Sequence, residues 1–323
     1  MSTAASSAMI VAALCVDRPV LSELRELFPE AWEVVYQELA RLAEHQDPAQ
    51  IAQSLTRAHQ EWQKNQPQCR ALQNKFNRRL AGQCGLQLIR RLALEQYARA
   101  VQQETLKTGG TAGLRDRLLL RMLILPMATA RRALPYRLHR MAWRLLRNPA
   151  AATAMLLQAG CYLIAPTELI KSLGTLIGSR PTLEIGAGRG TLASRLRRSG
   201  IDITAVDDFS WADRLPMGSG VLQIDGREAL ERFKPQVVIC CWPPPGNNFE
   251  QKIFSSPDVQ DYIVIISRHR YASGDHQAYA GAKEFRCVQA TGQLAEMLLP
   301  HEAESVLYIF SRRQASGACV AKG

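Results

Sequence analysis

The sequence predicts an α/β fold, in which a doubly wound, mainly parallel sheet of seven strands follows an all-α N-terminal region. Two observations support this prediction. Up to about residue 155, apolar residues recur with helical periodicity and glycine is rare. After residue 180, short β-branched runs alternate with helical patterns. The chain of 323 residues is long enough for two domains, which we place at residues 1–155 and 156–323.

Proline and glycine divide the N-terminal region into predicted helices. The apolar stretch from Ala8 to Val16 is part of the first one, and Asn65-Gln66-Pro67 is expected to interrupt the region further on. The pattern predicts further helices near 20–44, 49–64, 68–81, 84–107, 112–125 and 136–147.

The second region contains seven runs with the composition of strands. They lie at 182–185, 201–206, 220–224, 236–241, 262–266, 285–289 and 305–310. Because helical patterns separate most of them, crossover connections and parallel pairing are expected. The last two runs are close enough in sequence to form an antiparallel hairpin at one edge.

Positive charge is concentrated in one short segment. The whole chain has a net charge of +11, and residues 111–150 alone contain nine arginines and one acidic residue, a difference of eight. Arginine binds phosphate and carboxylate groups in a bidentate manner.

The predicted helix 136–147 is basic and amphipathic. One stripe contains the arginines, and another contains apolar residues. The arginines are Arg137, Arg140, Arg144 and Arg147; the apolar residues are Leu138, Met141, Ala142 and Leu145. Either the apolar stripe packs on the domain and the arginines are simply solvated, or the arginines bind an acidic partner, such as nucleic acid, anionic lipid or a polyanionic substrate.

Cysteine usage favours a reducing compartment. The eight cysteines include no C-x-x-C pair, so we expect neither a metal site nor a disulfide framework.

The sequence has no recognisable export signal and no apolar window of the roughly 18 residues that a transmembrane helix needs. These features predict a cytoplasmic protein.

A glycine-rich turn follows the first predicted strand. The strand leads into Gly186-Ala187-Gly188-Arg189-Gly190, and a helical pattern begins at Thr191. A dinucleotide-binding turn has a glycine at the sixth position, where this chain has Thr191, which disfavours a nicotinamide-dependent oxidoreductase. With glycine at the first, third and fifth positions behind Glu184, the segment resembles the first motif of the class I S-adenosylmethionine (SAM)-dependent methyltransferases, whose fold is Rossmann-like.

The resemblance covers about residues 160–313 and implies that SAM is the cofactor. It assigns Glu184, Gly186, Gly188 and Gly190 to SAM binding. Asp207, at the end of the second predicted strand, would accept hydrogen bonds from the ribose hydroxyls, and Asp225, after the third, would lie near the adenine amine. Taken singly, each aspartate is equally typical of a turn or a helix cap.

The fourth predicted strand ends in Trp242-Pro243-Pro244-Pro245. Members of this superfamily that methylate exocyclic amines carry Asn, Asp or Ser before Pro-Pro. This chain has Trp242 at that position, so we do not expect it to bind a target amine in the same way. Trp242-Pro-Pro is similar to a poorly characterised branch of the superfamily. Pro243 and Pro244 would form a rigid wall for the substrate, while Trp242 would either stack on the sulfonium or the substrate or anchor the core.

A polar segment follows the fifth predicted strand, where ligands bind in open α/β sheets. His269 is a candidate general base because histidine titrates near neutral pH, although a solvated surface loop is the alternative. Tyr271 is a candidate substrate contact. Methyl transfer to a nucleophilic atom needs alignment and desolvation more than a base.

The sequence thus predicts a SAM-dependent methyltransferase with an unidentified acceptor. The alternative is a catalytically degenerate SAM-binding or Rossmann-like scaffold that acts as an interaction or effector protein through its basic helical region.

Overall fold

The computed structural model describes residues 3–15, 19–45, 47–107, 112–130, 132–209, 217–245, 247, 249–269 and 272–313. The chain divides into two units, each of which packs mainly within itself. The first comprises Met1–Thr105, Pro244–Asn247 and His269–Gly274; the second comprises Leu106–Pro243, Asn248–Arg268 and Asp275–Gly323. Residues 106–155 therefore group with the sheet, whereas the domain boundary at residue 155 stays a prediction.

The first unit is helical. Its helices are α1 (Thr3–Cys15), α2 (Leu21–Leu27), α3 (Pro29–His45), α4 (Pro48–Ala71) and α5 (Arg78–Lys107), whose last residues belong to the second unit. Arg90 of α5 joins three of them, because its guanidinium donates to Glu38 of α3 and to Glu61 of α4 at 2.7 Å each. Charged side chains thus connect α3, α4 and α5 beside their apolar core.

Two predicted helix breaks in the first unit are wrong. Helix α4 continues through Pro67, although an internal proline costs a helix about 3 kcal/mol. Trp62, Cys69 and Leu72 on either side of it are all buried in one apolar cluster, and this packing outweighs the local preference. Helix α5 likewise runs unbroken across the gap predicted between residues 81 and 84.

A disulfide that the sequence did not predict joins Cys69 and Cys84, whose Cα atoms are 6.0 Å apart. The two cysteines lie on α4 and α5, which a short turn connects, and no spacing motif marks them. We expected no disulfide framework, and this pair is an exception to that expectation.

Six described helical segments of the second unit precede its sheet. They are α6 (Leu114–Leu119), a π-helical turn (Leu120–Ile124), α7 (Leu125–Thr129), α8 (Tyr136–Arg144), α9 (Pro149–Gln158) and α10 (Thr167–Ile177). Helix α8 is shorter than predicted, and Arg147 lies beyond its end. The carboxylate of buried Asp116 accepts the backbone N–H groups of Arg147 and Asn148, and Asn148 in turn caps α9. These hydrogen bonds redirect the chain after α8.

The sheet has seven strands among the described residues, in the order β3-β2-β1-β4-β5-β7-β6. The elements are β1 (Thr182–Ile185), α11 (Thr191–Arg198), β2 (Ile203–Asp207), β3 (Leu222–Gln223), α12 (Gly226–Phe233), β4 (Val237–Cys241), α13 (Phe249–Ser255), β5 (Asp261–Ser267), α14 (His276–Gly281), β6 (Phe285–Gln289), α15 (Gln293–Glu296), a 3-10 turn (His301–Ala303) and β7 (Ser305–Arg312). Strands β1 to β5 pair in parallel, and β7 is antiparallel to β5 and β6. The predicted α/β class and the antiparallel hairpin at the edge are confirmed.

Helices cover both faces of this sheet. One apolar cluster packs α10 and α11 against one face, and Leu173 and Leu196 are fully buried in it. The other packs α12 and α13 against the opposite face, with Leu230 and Ile253 fully or almost fully buried. The strand order reverses between β1 and β4, and ligands bind at the carboxyl ends of strands at such a switch point.

Among the described residues, no helix is long and apolar enough to cross a membrane.

Candidate functional site

The glycine-rich turn links β1 to α11 at the point where the strand order reverses. Gly186, Gly188 and Gly190 have φ angles of 69°, 51° and 65°, which only glycine adopts without strain. A Cβ atom on Gly190 would lie 2.7 Å from Val221 Cγ2, whereas a Cβ on Gly188 would have no atom within 4 Å. The turn is therefore packed at Gly190 and open above Gly188, where a ligand has room to approach the backbone.

Glu184 supports the turn from within β1. Its carboxylate is buried and its Oε2 accepts the backbone N–H of Ala193 in α11 at 2.9 Å. Burial raises the pKa of Glu184 to about 8, although the hydrogen bond from Ala193 and the charge of Arg197 act in the opposite direction. Glu184 thus holds the strand and the helix on the two sides of the turn together.

Asp207 ends β2 beside the same turn. Its Oδ2 accepts the N–H of Gly188 at 2.9 Å, and its Oδ1 accepts the N–H of Phe209 at 2.8 Å. Burial raises the pKa of Asp207, while these two hydrogen bonds lower it. Each carboxylate oxygen has two lone pairs, so both oxygens can still accept a ribose hydroxyl.

Asp225 lies at the N-terminus of α12 and acts there as a helix cap. Its Oδ1 accepts the backbone N–H of Arg227 at 2.9 Å and the Nε–H of the same residue at 3.2 Å. The capping role that the sequence left open is therefore present. The predicted contact with adenine stays a prediction and would have to use Oδ2.

Trp242 follows β4 with a φ of 55°, an unusual conformation for a large side chain. Its backbone N–H donates to Ile265 at 2.7 Å, and its indole N–H donates to Ser305 Oγ at 3.2 Å. The indole stacks on Tyr162 with ring centroids 5.3 Å apart and packs against the core of the sheet. These contacts support the core-anchor alternative for Trp242, which nevertheless stays half-exposed.

The other predicted site residues are distributed between the two units. Pro243 is buried and belongs to the second unit, whereas Pro244 and His269 group with the first. The carbonyl of Pro244 accepts both the backbone and the side-chain N–H of Asn247, which fixes the turn after the prolines. Tyr271 lies outside the described residues. The structure therefore brings together the glycine turn, Glu184 and Asp207.

Sequence reasoning missed two contributors to this region. Gly218 donates its N–H to the carbonyl of Gly188 at 3.1 Å, and a Cβ on Gly218 would lie only 2.2 Å from the Arg189 carbonyl oxygen. Tyr162 supplies the ring on which Trp242 stacks. Both are distant in sequence from the residues that they contact, and no motif marks either of them.

The predicted helix 136–147 exposes its arginines as expected, but it does not bury its predicted apolar stripe. Arg137, Arg140, Arg144 and Arg147 are all exposed, but Leu138, Met141 and Leu145 of the predicted buried stripe are exposed as well. The expectation that the apolar stripe packs on the domain is wrong for these three. Helix α8 instead turns His139, Ala142 and the half-buried Trp143 inward, and the Trp143 indole donates to Glu302.

No cluster of three or more His, Cys, Asp or Glu side chains that could hold a metal ion occurs within the described parts of the chain.

No family model matches the chain, and no curated protein matches it. Several solved structures are similar to it. A magnesium protoporphyrin IX methyltransferase from Synechocystis PCC 6803 with bound SAM is 12% identical over 45% of this chain and 79% of its own, with a TM-score of 0.30. A SAM-dependent O-methyltransferase from Thermotoga maritima is 10% identical over 50% of this chain and 72% of its own, with a TM-score of 0.33. A 16S rRNA methylase is 13% identical over 68% of this chain and 83% of its own, with a TM-score of 0.32. Similarities of this size assign neither a cofactor nor an acceptor to this chain.

The chain's own features determine the fold assignment. They are the mainly parallel sheet with an antiparallel edge, the glycine turn after β1, and the aspartate at the end of β2 that contacts this turn. The sequence predicts the sheet, the turn and the position of the aspartate, and the structure adds the contact between the aspartate and the turn. Within the described residues, 182–312 therefore form a Rossmann-like, doubly wound α/β domain.

Proposed function

We propose that the second unit binds SAM and transfers its methyl group to an acceptor. The observation that carries this proposal is the relationship between the glycine turn and Asp207. The turn leaves open space above Gly188, and the carboxylate of Asp207 lies next to that space because it accepts the Gly188 N–H. A nucleoside that extends from the turn towards Asp207 would find hydrogen-bond acceptors for its ribose hydroxyls.

The residues around the turn fit SAM. Backbone amides of the turn and of the α11 N-terminus would bind its polar groups, and Asp207 would hold the ribose. Asp225 would reach the adenine amine through Oδ2. Trp242, at the end of the neighbouring strand β4, presents a half-exposed aromatic surface of the kind that stabilises cations.

SAM supplies a methyl group on a positively charged sulfur. The chain's own residues would orient the two reactants and exclude water, which is sufficient when the acceptor atom is already nucleophilic. This proposal assigns no general base, because methyl transfer to such an atom does not require one. Pro243, which is buried beside Trp242, would keep the end of β4 rigid.

Calorimetric titration of the full chain with SAM, S-adenosylhomocysteine (SAH) and NAD⁺ tests the cofactor. We expect SAM and SAH to bind with a low- to mid-micromolar Kd, which corresponds to a binding free energy of about 7 to 8 kcal/mol. NAD⁺ should give no binding signal. Binding of NAD⁺ in preference to SAM would overturn the proposal.

Activity needs a separate measurement. SAH release is followed while the protein and SAM are incubated with total RNA, a metabolite extract or a lipid extract, and a Gly188→Arg sample serves as the inactive control. Release above that control with one pool supports methyl transfer and identifies the acceptor class. SAM binding without release in any pool would favour the degenerate scaffold.

A further inference from the structure

We propose that the second unit docks on anionic lipid bilayers through two exposed stripes of aliphatic and arginine side chains. The first stripe lies on α6 and the π-helical turn and contains Leu114, Leu118, Met122, Arg117 and Arg121. The second lies on α8 and contains Leu138, Met141, Leu145, Arg137, Arg140 and Arg144. This inference concerns a surface apart from the glycine turn and does not depend on SAM binding.

The first stripe exposes a row of large apolar side chains. Leu114, Leu118 and Met122 follow one another at intervals of four residues and are 76%, 54% and 74% exposed. Arg117 and Arg121, also four residues apart, are exposed beside this row. Isolated exposed leucines are ordinary, but an ordered row flanked by cations is typical of an interaction surface.

The second stripe repeats this arrangement on α8. Leu138, Met141 and Leu145 are 40%, 63% and 45% exposed, and they share their side of the helix with the arginines. The two helical segments are neighbours, since Leu120 and Ile124 of the π-helical turn belong to the same apolar cluster as Ala142 and Leu146. The two stripes therefore lie on helical segments that pack against each other.

Neither stripe can be buried by rotating its helix. The inner side of the first segment is already occupied by Leu120 and Ile124 in the core. Helix α8 is held by its other side, where Glu168 accepts the Tyr136 N–H at 2.8 Å and Glu302 accepts the Trp143 indole N–H at 3.1 Å. The apolar stripes are thus a fixed part of the surface.

The charge around the stripes is strongly positive. Residues 111–150 contain nine arginines, and their one acidic residue is Asp116. Asp116 is buried and accepts the backbone N–H groups of Arg147 and Asn148, so its carboxylate lies beneath the surface. The complementary partner is therefore anionic.

The aliphatic side chains favour a lipid bilayer over nucleic acid. Single-stranded nucleic acids bind through exposed aromatic rings that stack on bases, whereas α8 contributes only the half-buried Tyr136 and Trp143. Leucine and methionine instead enter the boundary between headgroups and acyl chains, and the arginines bind lipid phosphates. The combination of both residue classes in each stripe matches an anionic bilayer.

Vesicle co-sedimentation of the full chain tests the proposal. Wild-type protein is expected to bind vesicles of phosphatidylcholine mixed with phosphatidylglycerol, to bind pure phosphatidylcholine vesicles far more weakly, and to dissociate as salt is added. Total RNA at equal phosphate concentration serves as the competing polyanion.

Paired variants separate the two residue classes. Arg117→Gln with Arg121→Gln, or Arg140→Gln with Arg144→Gln, should each lower vesicle affinity about tenfold or more. Leu118→Gln with Met122→Gln, or Met141→Gln with Leu145→Gln, should lower it to a similar extent. Val288→Thr and Arg286→Gln change exposed residues on β6 and are the matched controls, which should bind as wild type.

Because all substituted side chains are exposed, the variants should fold, which thermal melting checks. If a pair does not fold, one of its own single substitutions replaces it, as Met122→Gln does for the first apolar pair. The proposal is overturned if wild-type protein does not bind the anionic vesicles. It is equally overturned if the apolar variants bind as wild type, if RNA displaces the vesicles completely, or if the stripe variants dissociate a dimer instead of lowering vesicle affinity.

Discussion

The carboxylate of Asp207 accepts the backbone N–H of Gly188 at 2.9 Å, so the end of β2 is bonded to the middle of the glycine turn. The two residues are 19 positions apart in the sequence. This bond places a carboxylate at the edge of the open space above Gly188. It also means that the proposed ribose acceptor and the proposed SAM-binding turn cannot move independently.

The space above Gly188 can be filled by substitution. Gly188→Arg is expected to abolish SAM and SAH binding, since its side chain would occupy the open space above the turn. The positive φ adds about 1 to 2 kcal/mol of strain. Gly200→Arg is the matched control, because Gly200 also has a positive φ and open space around its Cβ position but follows α11. Unchanged affinity in a folded Gly188→Arg protein would refute the cofactor site.

Asp207→Ala should weaken SAM binding by about 1 to 3 kcal/mol in calorimetry, the scale of a charge-assisted hydrogen-bond acceptor. It should also lower the melting temperature, because the N–H groups of Gly188 and Phe209 lose their acceptor. Asp208→Ala is the control and should leave SAM affinity nearly unchanged. If Asp207→Ala weakens SAM binding by less than a few tenths of a kcal/mol, Asp207 does not bind the ribose, and Asp208 becomes the candidate acceptor for the ribose hydroxyls.

Glu184 should make stability depend on pH. Burial raises the pKa of Glu184 from 4.5 to about 8, so between these values the folded chain holds a proton that the unfolded chain has lost. The resulting stabilisation is complete below pH 4.5 and is lost as the pH rises through about 8.

Glu184→Gln should therefore flatten the decline in the free energy of unfolding over this range. Urea denaturation of both proteins at about pH 5 and about pH 8 measures the difference. Parallel pH profiles for the two proteins would contradict the assigned pKa.

Arg195 is a buried residue of α11 that should matter for stability. Its guanidinium donates to the carbonyls of Ala165 at 2.7 Å and Ala128 at 2.8 Å, and also to Ala130. Lysine has no planar fork, so Arg195→Lys should lower the free energy of unfolding by about 2 to 4 kcal/mol. Exposed Arg198→Lys is the control and should be nearly neutral. An equal, small effect of both substitutions would show that these hydrogen bonds contribute little.

Local patterns explain why much of the sheet could be predicted. The predicted first strand, 182–185, has the observed bounds, and the fourth begins one residue earlier than β4. Fully buried parallel strands appear as short continuous apolar runs bounded by turn residues, a signal contained in the sequence itself. The glycine turn is equally local, because positive φ angles require glycine at defined positions.

The helical regions were harder to predict because their boundaries depend on distant contacts. Pro67 predicts a break, yet α4 is continuous because Trp62 and Leu72, on either side of Pro67, pack in one buried cluster. Leu138, Met141 and Leu145 form an apolar stripe that sequence reasoning places inside, but hydrogen bonds from Tyr136 and Trp143 hold the opposite side of α8 against the unit. Periodicity shows that a helix has two sides, and only its neighbours determine which one is buried.

The sequence by itself determined the α/β class, the positions of the strands, the glycine turn and the aspartate that ends β2, because each depends on residues adjacent in the chain. Only the tertiary structure decided that Asp207 contacts Gly188, that Tyr162 stacks on Trp242, and that the stripes beside the arginines face solvent. These relationships join residues far apart in sequence. They depend on how the helices and strands pack, because packing alone determines which polar groups find partners and which apolar surfaces stay exposed.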